Sequence, residues 1–342
     1  MNASESPRWV GLDIGGANIK AADADGGAWS LAFPLWKERQ RLGAAVADLL
    51  TTAGPCQAIA LTMTGELADC YRDRAAGVRD ILTQVLRASG IHPVWSYSVD
   101  GCFHSSEEIL KNPDQAAAAN WHALAQLAAR WLGPRPGVLV DVGSTTCDII
   151  PLSKGGVATD SRTDFDRLSR EQLLYFGVGR TPLCALVSHI PYRQGMIPVM
   201  AELFATTDDV CLTLGFVAED HNDRQTCDGR ARTRAAARNR IARLIGLDHR
   251  QFERQDAEAA ARHIWKSMKQ RLHQAIERNA TTLTTSTEPL TVILSGHGAA
   301  LAEPLPSSWR VIRAADRLGH AGSRAAPAYA VAVLAAQMVN IR

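Results

Sequence analysis

Apolar residues recur at helical spacing in four stretches of the chain. Leu42, Ala45, Val46, Leu49 and Leu50 mark the first, and Ile81, Leu82, Val85 and Leu86 the second. Trp121, Leu124, Ala125, Ala128, Trp131 and Leu132 mark the third, and Ile264, Trp265, Met268, Leu272, Ala275 and Ile276 the fourth. Each stripe predicts a helix with one face on a core. Short apolar runs closed by turn residues read as strands: WVGLDIG, NIKAADAD, AIALTMTG, GVLVDVGS, TCDIIPL and LTVILSGHG. Strands and helices alternate, so the expected class is α/β.

One arrangement occurs twice. A strand ends in Asp-x-Gly, a turn of small residues follows, and a second strand returns at once. The copies are GLDIGGANIKAAD near the start and LVDVGSTTCDIIPL beginning near residue 138. Between them WLGPRPG, with its prolines and glycines, marks a domain boundary. The expected organisation is an N-terminal α/β domain over 1–133, completed by a C-terminal helix at 325–342, and a second α/β domain over 134–324.

Composition narrows the function classes. The 342 residues are 46% hydrophobic and 21% charged, enough for two packed cores or one large one. Formal net charge is +2 with scattered Lys and Arg, which argues against a nucleic-acid partner held through its phosphates. The one basic cluster, RARTRAAARNRIAR at 230–243, lies on a helical pattern and is either a solvated face or a set of anion contacts. Seven cysteines without a CxxC pair signal neither a disulfide framework nor a structural zinc site. The start MNASESPR reaches a strand without an apolar stretch of signal-peptide type, and no run of about 18 uninterrupted apolar residues occurs. A cytoplasmic protein with no membrane partner is expected, and a homo-oligomer stays open.

The hairpins carry the candidate chemistry. Gly15 and Gly16 allow backbone conformations that expose N–H groups to an anion, and Gly143, Ser144, Thr145 and Thr146 add hydroxyl donors. Facing each other, the loops would make a cleft with donors on both walls. Asp13 and Asp141, one per wall, could hold a hydrated Mg²⁺. A metal-bridged diphosphate or nucleotide tail fits that geometry. The competing account, a hairpin with a side-chain-capped turn, loses weight because the pattern recurs at corresponding places. Alternation leaves Lys20 facing either phosphate or solvent.

Other segments add weaker signals. ILSGHGAAL at 293–301 reads as a strand opening into a helix, whose N-terminal donors attract anions; His297 in it is a turn residue or a catalytic one. In LTMTGELADCYRDRAAGV at 61–78, Glu66 and Asp69 fall at i, i+3 in an expected first helical turn. They either suit the helix dipole beside a Thr cap, or Glu66 handles substrate by binding an ammonium group or taking a proton. Arg180, Thr181, Asp208, Asp209, Asp228 and Arg230 sit in irregular stretches that line the cleft or cap helices.

Two Asp-x-Gly hairpins followed by a late Gly-x-Gly loop resemble the sugar kinase, Hsp70 and actin superfamily over nearly the full chain. That resemblance implies two ribonuclease-H-like domains about a central cleft. It also implies a final helix, APAYAVAVLAAQM, packed back on the N-terminal domain. GLDIGGANIK, MTGELADC, NWHALA, VDVGSTTCDIIP, YFGVGRTP and ELFATTDDVCLTLG together resemble a narrower group. These are the hydantoinase/oxoprolinase-related proteins of the methanofuran and tetrahydromethanopterin-linked one-carbon pathway, whose archaeal members are aminomethylfuran-phenoxymethyl synthases.

The narrower resemblance implies a transferase that joins aminomethyl-furanmethanol diphosphate to the phenol oxygen of a glutamyl-tyramine or tyrosine-type acceptor and releases diphosphate. On that basis Asp13 and Asp141 organise Mg²⁺ or water. Gly15, Gly16, Asn18, Lys20, Gly143, Ser144, Thr145, Thr146, Ser295, Gly296 and Gly298 bind phosphate. Glu66 and Asp148 are the candidate bases, and Thr64, Glu66, Arg180 and Thr181 the substrate contacts. The alternative is an ATP-dependent small-molecule kinase or a hydantoinase/oxoprolinase-like hydrolase, with ATP at the same loops.

Overall fold

The computed structural model describes residues 8–283 and 289–339, so the opening MNASESP and the last three residues of the expected C-terminal helix lie outside it. β1 (Trp9–Ile14), β2 (Asn18–Asp23) and β3 (Ala28–Ala32) form an antiparallel meander. β4 (Ala58–Met63) and β5 (Val94–Tyr97) continue the sheet in parallel from β1, and β6 (Phe103–Ser105) closes its edge antiparallel. The order is β3-β2-β1-β4-β5-β6.

The second sheet repeats the plan. β7 (Gly137–Val142) and β8 (Cys147–Ser153) make the hairpin, and the short β9 (Gly156–Val157) and β10 (Leu173–Leu174) both pair with β8. A separate hairpin, β11 (His189–Tyr192) and β12 (Gly195–Pro198), stands off the sheet. β13 (Thr291–Ser295) lies parallel to β7 and β14 (Arg310–Arg313) parallel to β13, giving β10-β8-β7-β13-β14. Two ribonuclease-H-like halves result.

β1 and β4 are buried at every position, as strands covered on both faces are, and read as nearly unbroken apolar runs. α1 (Leu35–Glu38) and α2 (Leu42–Ala53) follow β3, α3 (Arg74–Ser89) precedes β5, and α4 (Ser106–Lys111) follows β6. Val46, Leu49, Ile81, Leu82 and Val85 cover one face of the first sheet at Val10, Leu12 and Ile14. α5 (Asn120–Leu132) is buried along nearly its whole length, Arg130 excepted, and lies between the sheets. Ala123 and Leu127 pack with Trp9, Ala60 and Tyr97 of the first sheet, while Trp121, Leu124, Ala125 and Ala128 pack with Leu139, Ile150 and Ile293 of the second. The predicted stripe had captured only the second of these faces.

Beyond α6 (Asp164–Ser169), the outer face of the second sheet is covered by α7 (Thr207–Leu214), α8 (Arg234–Arg243) and above all α9 (Arg254–Thr281). After α10 (Ala314–Arg324), α11 (Ala326–Val339) returns to the first sheet, where Ala330, Val331 and Leu334 meet Trp9 and Ala60. The approach is close enough to require glycine. A Cβ on Gly11 would stand 1.9 Å from the Ala328 carbonyl oxygen, backbone that cannot retreat without moving the helix. Gly11→Ala should therefore cost about 3 kcal/mol in denaturant unfolding. Gly16→Ala, with nothing within 4 Å of the added carbon, should leave the midpoint nearly unmoved.

Three local expectations are revised. The third glycine loop opens into a single 3-10 turn, Ala299–Leu301, because Pro304 and Pro306 follow directly. No full helix dipole stands behind it. The helix expected to start at Glu66 begins at Arg74 instead, where Asp73 accepts from the Ala76 N–H, and Glu66 sits in an irregular segment. The basic segment is not simply a solvated face. Arg240 is wholly buried between Asp209 (2.6 Å) and Asp228 (3.0 Å), and Arg232 grips Asp208 at 2.6 Å. Among the described residues no helix is long and apolar enough to cross a membrane.

Candidate active site between the two hairpins

The two turns are built alike. In each, the second residue after the aspartate donates its N–H to the carbonyl of the fifth: Gly15 to Asn18 at 3.0 Å, Gly143 to Thr146 at 2.9 Å. Among the described residues the N–H groups of Gly16, Ala17, Ser144 and Thr145 have no backbone partner, which leaves a pair of donors at each tip for an anion. A following segment braces each loop from outside. Phe33 donates to Ala17 and Leu35 to Gly16, both at 2.9 Å. Val178 donates to Gly143, and Gly179 and Arg180 to Ser144, at 2.9–3.0 Å. Gly177 has to be glycine for this, since its Cβ would fall 2.4 Å from the Gly143 carbonyl oxygen.

Asp13 stands in register with Lys20 on β2 and Thr62 on β4, and Asp141 with Asp148 on β8 and Ser295 on β13. Residues in register share a face, so both aspartates project from the faces that α5 separates, beside one cleft. Asp13 is 4% exposed. Burial pushes its carboxyl up to about 6; Lys20 opposes that rise and Asp141 adds to it. Burial likewise raises Asp141, against Ser295 and Lys20. The two carboxylates and Lys20 therefore share one electrostatic environment, and Lys20 faces the cleft. Asn18, two residues before it on β2, lies on the same face.

Asp13 Oδ1, Thr62 Oγ1 and Ser295 Oγ are buried without a hydrogen bond of normal geometry. Unsatisfied buried polar atoms clustered at a cleft point to a ligand that completes them. Among the described residues no three His, Cys, Asp or Glu side chains converge as a closed metal cage. Two facing carboxylates suit Mg²⁺, which keeps several waters and takes one or two carboxylates plus phosphate oxygens. The third loop clasps the end of β7. Gly296, at φ +82°, leaves room for Val142 O and Asp141 Oδ1, which a Cβ would approach to 2.2 and 2.9 Å, and the Gly298 N–H bonds the same carbonyl at 3.0 Å. His297 is exposed at the tip, within electrostatic reach of Lys20 and Arg324.

Glu66 closes the site on the first wall. The Thr64 and Gly65 N–H groups both donate to Ile14 O at 3.0 Å, which sets this segment against the first hairpin, with Thr64 beside Gly15. Glu66 is 1% exposed, and neither carboxyl oxygen has a hydrogen-bond partner of normal geometry. Burial pushes it up to about 7; backbone dipoles and Arg74 pull it down, and nearby Asp164 pushes it further up. Ala118, just before α5 and close to Glu66, holds a left-handed backbone at φ 47°, the kind of strain that collects at functional sites.

The other sequence candidates are occupied elsewhere. Asp148, raised by burial to about 6, is held by the buried Arg167, which also reaches Asp164 at 2.7 Å and lies 4.7 Å over the Trp121 ring. Thr181 is buried, and its hydroxyl takes the Gly177 N–H at 3.0 Å, which fixes the bracing segment. Asp209 closes the capping box of α7. Arg180 lies over the ring of Trp36 at 4.7 Å. Thr62, Arg167 and Trp36 escaped the sequence reading. Thr62 was within reach, on the strand that ends just before Thr64; the Trp36 contact has no local signal, because it joins the two halves.

The fold is shared with acetone carboxylase, whose nucleotide-free structure superposes at TM-score 0.52 and 11% identity, covering 95% of this chain and 70% of that one. Sequence likeness is much stronger to a protein of Methanocaldococcus jannaschii named (4-{4-[2-(gamma-L-glutamylamino)ethyl]phenoxymethyl}furan-2-yl)methanamine synthase. It is 32% identical over 95% of this chain and 96% of its own. A Methanococcus vannielii protein of the same name is 30% identical over 60% of this chain and 93% of its own. The hydantoinase/oxoprolinase family profile matches residues 57–338. Matched across most of its length by that profile, the chain belongs to the hydantoinase/oxoprolinase family.

Proposed function

We propose that this enzyme forms an aryl alkyl ether. It joins aminomethyl-furanmethanol, delivered as its diphosphate, to the phenol oxygen of a glutamyl-tyramine or tyrosine-type acceptor, and releases diphosphate. The observation that carries this is the 32% identity, over 95% of the chain, to a relative whose name describes a phenoxymethyl bridge on a furan methanamine. The paired anion-ready loops support diphosphate as the leaving group.

The chemistry divides between the walls. The furan ring oxygen feeds electrons to the exocyclic carbon, so the bond to diphosphate breaks with both electrons leaving on the phosphate oxygen. The Gly16, Ala17, Ser144 and Thr145 N–H groups and the Ser144 and Thr145 hydroxyls receive that charge, with Lys20 beside them. Asp13 and Asp141 would hold Mg²⁺, which when bound neutralises the departing diphosphate. The phenol oxygen then bonds to the carbon and its proton passes to Glu66. A phenol has a pKa of about 10, and a carboxylate poised near 7 is well placed to accept its proton at neutral pH. Asp148, already gripped by Arg167, instead positions α6 against the cleft.

The test is to incubate the protein with the furanmethyl diphosphate, a glutamyl-tyramine acceptor and Mg²⁺, following diphosphate release and the mass of the ether. Stoichiometric diphosphate and ether are expected. ADP formation from added ATP, with no ether from the diphosphate, would overturn the proposal in favour of an ATP-dependent kinase or hydrolase.

A further inference from the structure

Trp36 and Arg180 stand at or next to the last bracing contact in their own half. Leu35, the residue before Trp36, bonds Gly16 on one side, and Arg180 itself bonds Ser144 on the other. The two segments meet where the guanidinium rests 4.7 Å from the centre of the indole ring. Both side chains are exposed, Trp36 at 36%. Among the described residues the Arg180 guanidinium makes no ion pair and no hydrogen bond, whereas Arg167, Arg232 and Arg240 of the same half are each tied to an aspartate. An unpaired guanidinium, with five donors in a fork that suits phosphate, is stored on an aromatic face at the mouth of two anion-binding loops.

We propose that Trp36 is the resting place of Arg180, a mobile diphosphate-binding side chain. Arg180 lies on the indole while the cleft is empty and turns onto the terminal phosphate oxygens once diphosphate sits between the hairpins. The backbone supports this economy of movement: the Arg180 N–H is already fixed to Ser144 O at 2.9 Å, so only the side chain has to swing. The stack and the phosphate contact compete for one cation. Removing the aromatic face should then tighten diphosphate binding, whereas removing the cation should weaken it. A fixed structural pair would give no such opposition of sign. This inference rests on the proposed use of a diphosphate substrate.

Calorimetric titration of the full-length protein with inorganic diphosphate in Mg²⁺ separates the two ideas. Arg180→Met should raise Kd roughly tenfold or more. Trp36→Leu, which keeps apolar bulk without a π face, should lower Kd roughly two- to fivefold. The double variant should match Arg180→Met alone, because without the cation the indole has nothing to hold. Diphosphate should also change the tryptophan emission of the native protein and not that of Trp36→Leu. Melting of each variant without diphosphate checks that the fold survives. Binding by the native protein with Kd unchanged in Arg180→Met, or weakened in Trp36→Leu, would overturn the resting-place role alone. No binding by the native protein would overturn the diphosphate reading and this inference with it.

Discussion

Asp13→Asn and Asp141→Asn should each lower kcat by about three orders of magnitude while the protein stays folded. Asparagine keeps the size and one oxygen but not the charge that an incoming Mg²⁺ and its waters would neutralise, and losing one such electrostatic contact commonly costs about 10²–10³ in rate. Stability should move the other way. Burial holds Asp13 at about 6 against an ordinary 3.8, so the fold disfavours the ionised form. The stability contributed by the protonated group is present below 3.8 and lost as pH rises through about 6. At pH 7.5, in chelator, the native protein carries that penalty and Asp13→Asn does not. The variant should gain up to about 3 kcal/mol, since each pKa unit is about 1.4 kcal/mol. A site that costs stability when empty is one kept for its ligand. Retained turnover in both variants would remove the two aspartates from the chemistry.

Much of this arrangement was legible because it is local. The Asp-x-Gly hairpins announce themselves twice, and their common turn, Gly15 to Asn18 and Gly143 to Thr146, follows from small residues placed at the same interval after each aspartate. The periodic helices were recovered with longer ends, as at Arg254–Thr281, where the apolar stripe covers only the middle turns. What alternation left undecided was settled by pairing: Lys20 faces the cleft because β2 sets it opposite Asp13. The misread elements share a cause. Glu66 and Asp69 have helical spacing, but the segment is tied to Ile14 O by Thr64 and Gly65 before any helix can start. Arg240 sits in a basic, alanine-rich string whose local composition says surface, yet it is buried against Asp228, just upstream of the string, and Asp209, 31 residues away on α7. The Arg167–Asp148 and Trp36–Arg180 contacts are tertiary in the same way. Sequence pattern records which side chain a strand offers to a face; it does not record what another element brings to that face.

Glu66→Gln should lower kcat by about 10²–10⁴, the usual worth of general base catalysis, with a smaller change in the KM of the diphosphate substrate, whose loops it does not touch. The pH profile is the sharper readout. With the carboxyl held at about 7, native kcat should climb with pH through about 7 to a plateau, and that limb should be missing from the residual activity of the glutamine variant. The same shift fixes the sign of the stability change. An acid whose pKa in the fold is raised from 4.5 contributes stability below 4.5 and loses it as pH rises through about 7. Native protein and variant should therefore melt together near pH 4, and the variant should melt higher at pH 8. That separation also tells a base from an ammonium ligand. If Glu66 instead binds the substrate's aminomethyl group, the ammonium holds the carboxylate ionised in the complex, so the kcat limb near 7 vanishes from the native enzyme and the loss in Glu66→Gln appears mainly in KM. A native kcat that is flat between pH 6 and 8 would sink the base assignment and leave Glu66 as the cation's partner.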